Sequence, residues 1–254
     1  MTRNYLYMLA LLLVTLTALA DPPNARDLLE RAIANAAAQT SARGHYIFRE
    51  HAEHLRLDGH VNHTQDFDWV FLEGAMYRKR IAVNGRPLAG KALREEERLF
   101  QMTAAERRQA AEHKKPDPNT INADIKPETV LHQMTHQLRA DETLNGRPAW
   151  VIRSEPPPGL TGETRAYRYT YWIDKADIII AQEHYDVFQA DAKILPGSTQ
   201  TTTFSRLNDS VWLLSSRDGE YLTGPPHPKA HWRQTHRFNS YRRFGSESTV
   251  IFEH

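Results

Sequence analysis

Thirteen histidines are spread through 254 residues, and imidazole is the side chain that most often binds metal or moves protons near neutral pH. His51 and His54 fall three apart in a run that reads as a strand, which puts them on opposite faces. His60 and His63 repeat that offset. His45, His51 and His63 approach one another only if a hairpin folds them together. His132 and His136 have the i,i+4 spacing that shares one helix face, as a metal needs. The residues between them are Gln133-Met134-Thr135, however, without the Glu of an H-E-x-x-H site. A His-dependent metallohydrolase is the weakest of three readings on these grounds. The chain has no cysteine, which excludes disulfides, thiol catalysis and cysteine-held zinc or iron–sulfur centres. No serine elbow, phosphate loop or dinucleotide fingerprint occurs. Glu95-Glu96-Glu97 is interleaved with Lys91, Arg94 and Arg98 and reads as a solvated helix face. Arg78-Lys79-Arg80 and Arg242-Arg243 are short basic patches that strand alternation splits across two faces. The expectation is a non-enzymatic protein with no cofactor and no metal.

The aromatic residues carry more information. Phe48, Trp69, Phe71, Tyr77, Tyr167, Tyr169, Tyr171 and Trp212 all fall on strand-like runs. Half of a sheet's side chains face a core, and packing accounts for most aromatic residues found there. A row of tyrosines differs, because each buried hydroxyl needs a partner or water. That suits the lining of an amphipathic cavity, and these eight residues are the candidate ligand-binding set.

The elements that must position them can be read from periodicity. Asn24 is a candidate N-cap for a helix over 24–41, with Leu28, Leu29, Ala32, Ile33, Ala36 and Ala37 on one face. Strands follow over 46–57, 61–72 and 76–83, punctuated by the turn dipeptides Asp58-Gly59 and Asn84-Gly85. Phe67, Trp69 and Phe71 alternate along the second of them. Residues 88–113 read as a charged helix, and a second helix starts near Pro127 and includes Val130, Leu131, Met134 and Leu138. Strands then run to the end of the chain, the last at Thr249–Phe252, with Asn145-Gly146 and Asn208-Asp209 among their turns. Asn-Gly-Arg-Pro occurs at 84–87 and 145–148 without flanking similarity, which is reused turn chemistry rather than duplication. The fold class expected is α+β: one large curved antiparallel sheet of about eleven strands, an unclosed barrel, covering a few helices.

Residues 1–20 have the form of a secretory signal peptide. Arg3 supplies the charge, the stretch from Tyr5 to Leu19 is apolar but for two threonines, and Ala18-Leu19-Ala20 is a cleavage site before Asp21. The run is shorter than the roughly 20 residues of a spanning helix. Residues 21–254 then form a single domain with a charged helical insertion at about 86–126. The chain has 32 basic and 31 acidic residues. Arg3 is the one charged residue of the leader, so the mature chain is neutral, which argues against nucleic acid as a partner. The localisation expected is periplasmic or secreted.

This order of elements resembles the periplasmic lipoprotein-carrier superfamily, which includes lipoprotein-localisation carriers, outer-membrane lipoprotein-sorting-like proteins and the related sigma-factor regulatory sensor. The likeness is carried by the leader followed at once by an amphipathic helix, by Tyr46-Ile47-Phe48, by Asn145-Gly146-Arg147-Pro148-Ala149-Trp150-Val151-Ile152, and by Tyr171-Trp172-Ile173-Asp174 before the strand at 178–186. The resemblance implies an unclosed barrel whose apolar cavity, lidded by helices, holds the acyl chain of a lipid or lipoprotein. The leading expectation is capture of an acyl chain, a lipoprotein or a similar apolar ligand, with membrane contact peripheral at most. The alternative is an envelope sensor or scaffold that binds a protein partner through the charged 86–126 segment.

Overall fold

The computed structural model describes residues 23–57, 62–113, 126–190, 194–207, 211–225 and 228–244. The signal peptide expected at 1–20, His60, the Asp58-Gly59 and Asn208-Asp209 turns and the strand expected at 249–252 lie outside the described residues. The elements run α1 (Ala25–Ala38), α2 (Thr40–Arg43), β1 (Tyr46–Arg56), β2 (Asn62–Leu72), β3 (Ala75–Val83), β4 (Arg86–Pro87), α3 (Gly90–Glu112) and α4 (Pro127–Gln133). Then come β5 (Thr135–Leu138), β6 (Glu142–Leu144), β7 (Arg147–Glu155), β8 (Tyr167–Asp174), β9 (Ile179–Val187), β10 (Thr199–Leu207), β11 (Val211–Thr223) and β12 (Ala230–Arg243), with a 3-10 turn at Glu163–Ala166 before β8.

All twelve strands join one antiparallel sheet in the order β4-β3-β2-β1-β12-β11-β10-β9-β8-β7-β5, with β6 paired to β7. The two ends of this order, β4 and β5, do not pair, so the barrel is unclosed. The tight turns behave as their residues demand: Asn84-Gly85 and Asn145-Gly146 both have positive φ at each position, 52° and 70°, then 51° and 78°. Such a pair suits a two-residue hairpin whose twist matches its strands.

α1 begins at Asn24, whose Oδ1 accepts from the backbone N–H groups of Arg26 (2.9 Å) and Asp27 (3.2 Å). Its apolar face, Leu28, Leu29, Ala32 and Ile33, is buried together with Val130, Leu131 and Met134 from the α4 region and Ile152, Tyr169, Tyr171, Ile173 and Ile180 from the sheet. Fully burying side chains of this kind contributes about 1.5–3 kcal/mol each relative to exposure. The face of the sheet that meets α1 and α4 is called the inner face below.

α4 ends at Gln133, earlier than the helical spacing of Val130, Leu131, Met134 and Leu138 predicts. Residues 135–138 pair instead with β7, from Thr135↔Glu155 to Leu138↔Ile152. Sheet pairing overrides local periodicity here, and His132 and His136 are separated onto a helix and a strand. The ring of His136 is fixed between the Ser154 hydroxyl (2.8 Å) and the Leu131 carbonyl (3.1 Å).

The charged helix α3 has a structural task. β4 covers β3 only at Ala82 and Val83. Along the rest of that edge, Glu96 of α3 accepts the Arg80 backbone N–H (3.1 Å), and Arg107 donates to the carbonyls of Leu72, Ala75 and Met76 at 3.0, 3.1 and 2.9 Å. Glu96 and Arg107 are buried, at 4% and 6% exposure. An open strand edge is a template for aggregation, and a covering helix is one way to blunt it. On the outward side of α3, Glu95 pairs with Arg98 and Glu97 with Gln101, while Lys79 of β3 also donates to Glu97 and Arg108 donates to Glu73.

Candidate functional site

Residues paired across antiparallel strands lie on the same face, so the registers trace the inner face. One row runs Gln65–Ala52–His236–Arg217–Thr202–Glu183–Tyr171–Ile152–Leu138. The next runs His63–His54–Gln234–Gly219–Gln200–Tyr185–Tyr169–Ser154–His136. On the other side of the first row, Phe67 pairs with Glu50 and Glu50 with Phe238; one step further, Arg78 pairs with Trp69 and Trp69 with Phe48. The inner face therefore has two halves. The β5–β9 half is filled by α1 and α4. The half made by β12, β1, β2 and β3 meets no described helix, since α3 lies at the outer edge of β3.

This second half has an aromatic end. Phe48 stacks on Trp69 (5.5 Å between ring centroids) and meets Phe238 (6.0 Å) and Tyr241 (5.0 Å), while Phe71 meets Phe244 (5.2 Å). Tyr241 is anchored by donating its hydroxyl to the Leu214 carbonyl, and burial raises its pKa. Phe48, Trp69, Phe71, Phe238 and Tyr241 are all half-buried rather than sealed.

Beyond the aromatic end lies a buried carboxylate. Glu50 is 2% exposed, and both oxygens are doubly occupied. Oε1 accepts from Arg78 Nη2 (2.6 Å) and His236 Nδ1 (2.7 Å), and Oε2 from Arg78 Nε (2.7 Å) and Trp69 Nε1 (2.7 Å). Arg78 also lies over the Phe67 ring, 3.4 Å from its centroid. Burial alone would raise the pKa of Glu50, but the hydrogen bonds from His236, Arg78 and Trp69 with the charge of Arg78 outweigh it and hold the carboxyl at about 2. A carboxylate only accepts, so His236 carries its proton on Nδ1. One acid thus fixes side chains from β2, β3 and β12 against β1.

Past Glu50, His54 stacks flat on His63 (4.8 Å, 4° between planes), with His236 edge-on to His54 at 5.9 Å. Burial first, then the neighbouring His63, His236 and Arg78, lower the pKa of His54. His51 points the opposite way, as the strand offset requires, to Asp66 (2.6 Å). The Asp66 hydrogen bond raises its pKa against a smaller effect of burial. Among the described residues, no group of three His, Cys, Asp or Glu side chains is arranged to hold a metal ion.

The eight aromatic candidates are divided by the fold. Phe48, Trp69 and Phe71 come together at the half-open aromatic end. Tyr169 and Tyr171 share the same face but are sealed in the core, at 2% and 0% exposure. Tyr167, half-buried, stacks beside Tyr169 and meets Tyr185 at 5.4 Å. Tyr77 pairs with Val70 and faces outward, its ring on Phe100 and its hydroxyl on Glu96. Trp212 packs with Ile179, Ala181 and Ala36 and donates its indole N–H to Asp177 (2.9 Å). It also borders a cavity of about 290 Å³ whose polar wall includes Arg147, Asp174 and Arg206. Glu50, His236 and the His54–His63 stack are what reading the sequence missed. The alternation Phe48-x-Glu50-x-Ala52-x-His54 was the available signal, since it puts the acid on an otherwise inward face.

The fold is thus an α+β class: a half-open antiparallel sheet with helices in one half of its hollow. Solved structures similar to this chain include a putative outer-membrane lipoprotein-sorting protein domain from Vibrio parahaemolyticus, at 13% identity and TM-score 0.45 over 89% of this chain and 96% of that one. A DUF1329 family protein from Desulfovibrio piger is similar at 10% identity and TM-score 0.43 over 92% and 98%. A LolA superfamily protein from Nitrosomonas europaea is similar at 9% identity and TM-score 0.38 over 89% and 96%. Two of these neighbours, the lipoprotein-sorting domain and the LolA superfamily protein, bear names from the superfamily that the sequence resembles, and at these identities the likeness is one of fold alone. No protein-family model and no curated protein sequence matches the chain.

Proposed function

We propose that this is an exported envelope protein that captures an acyl chain, free or carried on a lipoprotein, along the half-filled side of its inner face. The observation that carries this reading is the cluster of Phe48, Trp69, Phe71, Phe238 and Tyr241. It is aromatic, half-buried, and set on the face that the helices leave uncovered among the described residues. From Phe48 to His54 the trough extends about 20 Å along β1. Each methylene laid on such a surface and removed from water contributes about 0.8 kcal/mol at full burial. The tyrosine row, by contrast, serves as the seat of α1. The apolar leader read in residues 5–19 supports export, and no described helix is long and apolar enough to cross a membrane. A partner-binding scaffold would use the outward, charged side of α3.

The test uses an uncharged ligand, a monoacylglycerol brominated along its chain, which quenches tryptophan on contact. We expect saturable quenching in the wild type that falls by at least half in Trp69→Phe. The remaining tryptophans, Trp150, Trp172, Trp212 and Trp232, serve as internal controls. Quenching of the same size in the variant, or none in either protein, contradicts the reading.

A further inference from the structure

We propose that the captured ligand carries an anionic head group, a carboxylate or a phosphate, seated on His54, His63, His236 and Arg78. This inference rests on the acyl-capture reading and adds the end of the ligand that the aromatic cluster does not address. The ionic end of the trough is built for an anion in three respects. Its one nearby acid, Glu50, is already saturated by four donors and accepts nothing further. Arg78 spends Nε and Nη2 on that acid, which leaves the Nη1 amine of a side chain that is 33% exposed. Three imidazoles then lie ring against ring beside it, at 4.8 and 5.9 Å. Histidines stacked this closely repel when charged, so an anion seated over the ring edges is the natural complement.

The distribution of acids supports the same polarity. On β1, β2 and β11 the residues Glu53, Asp66, Asp68, Asp218 and Glu220 alternate with the inner-face rows and point outward. The neighbouring inner positions are Gln65, Gln234 and Gly219. The charged and titratable groups on this face around the patch are Glu50, His54 and Arg56 from β1, His63 from β2, Arg78 and Arg80 from β3, His236 from β12 and Arg217 and Tyr221 from β11, with Glu183 further off on β9. Burial and the neighbouring His63, His236 and Arg78 hold the His54 pKa below its ordinary value. An anion seated on that ring favours its charged form, so an anionic ligand binds more tightly on acidification while a neutral one does not.

Titration calorimetry with three ligands of one chain length tests this: a fatty acid, a monoacyl phosphate and a monoacylglycerol, each at pH 6 and pH 8. The expected result is that the anionic ligands bind about tenfold tighter than the neutral one at pH 6, the worth of one charge-assisted contact. That advantage shrinks at pH 8. His54→Gln with His63→Gln removes it, so that the three ligands bind the double variant with equal affinity at both pH values. Preference for only one anion still supports the site and identifies the head group. Equal affinity of the wild type for all three ligands, or an advantage that survives in the double variant, overturns the inference while acyl capture stands. Failure of the monoacylglycerol itself to bind removes acyl capture instead.

Discussion

Glu50→Ala is expected to lose about 3–5 kcal/mol of unfolding free energy, the cost of breaking a buried ionic cluster by deleting one member. Arg78, His236 and the indole of Trp69 would each lose an acceptor, and four strands would lose their common tie. The pH dependence has a definite sign. The carboxyl sits at about 2 in the folded chain against an ordinary 4.5, so its contribution is complete above the unfolded value and is lost as the pH falls toward 2. The size is about 3 kcal/mol, from the worth of one pKa unit. Urea unfolding between pH 6 and pH 2.5 measures it. The wild type should lose stability steeply over that range, and Glu50→Gln should be less stable at pH 6 with a shallower acid slope. Parallel slopes in the two proteins would show that Glu50 is not the linked group.

Arg147→Ala is expected to cost about 2–3 kcal/mol, less than a fully sealed pair because the arginine itself is partly exposed. Arg147 grips Asp174 with two bonds (2.5 and 2.9 Å) and reaches Asp177 (3.3 Å). Asp174 is 2% exposed. Burial would raise its pKa, but the bonds from Arg147 and from the backbone N–H groups of Asp177 and Ala176 prevail and lower it. Without the guanidinium, those two N–H groups alone remain to hold a buried negative charge. Arg147→Lys keeps the charge but not the planar fork and should recover less than half of the loss. The indole of Trp212 lies under the same guanidinium, 5.6 Å away, and donates to Asp177, so a shift in its emission should accompany the loss. Equal stability of Arg147→Ala and the wild type would refute this account of the β7–β8 corner.

Two of the segments that carry the family likeness, Asn145–Ile152 and Tyr171–Asp174, meet in that ion pair. Their residue types were legible; their contact was not, because it depends on the register that sets Ala149 opposite Asp174. The same division holds across the molecule. Period-two alternation in Phe67, Trp69 and Phe71 and in the three tyrosines of β8 revealed strands and shared faces. It could not reveal which stretch of the shared face a helix would fill, so the tyrosines were expected beside a ligand and are found under α1. Tyr77 alternates as well as Trp69 does, yet its register with Val70 turns it outward. Glu50 stood among Arg49, His51 and Glu53 as one more solvated charge. Its burial is created by partners 19, 28 and 186 residues away. The helix expected beyond Gln133 failed for a related reason, since pairing with β7 claims Thr135–Leu138. Local pattern specifies elements, while the chemistry of this face is assembled from four strands distant in sequence.

Photo-crosslinking tests the central claim most directly. An uncharged acyl probe with a diazirine in its chain is bound to the full protein, irradiated and mapped by peptide mass spectrometry. Labels should concentrate in peptides spanning β1, β2 and β12, with Phe48, Trp69 and Phe238 among the modified residues, and excess unlabelled monoacylglycerol should displace them. Labels confined to α1, α4 and the β7–β9 half, or scattered over the outer face, would contradict it.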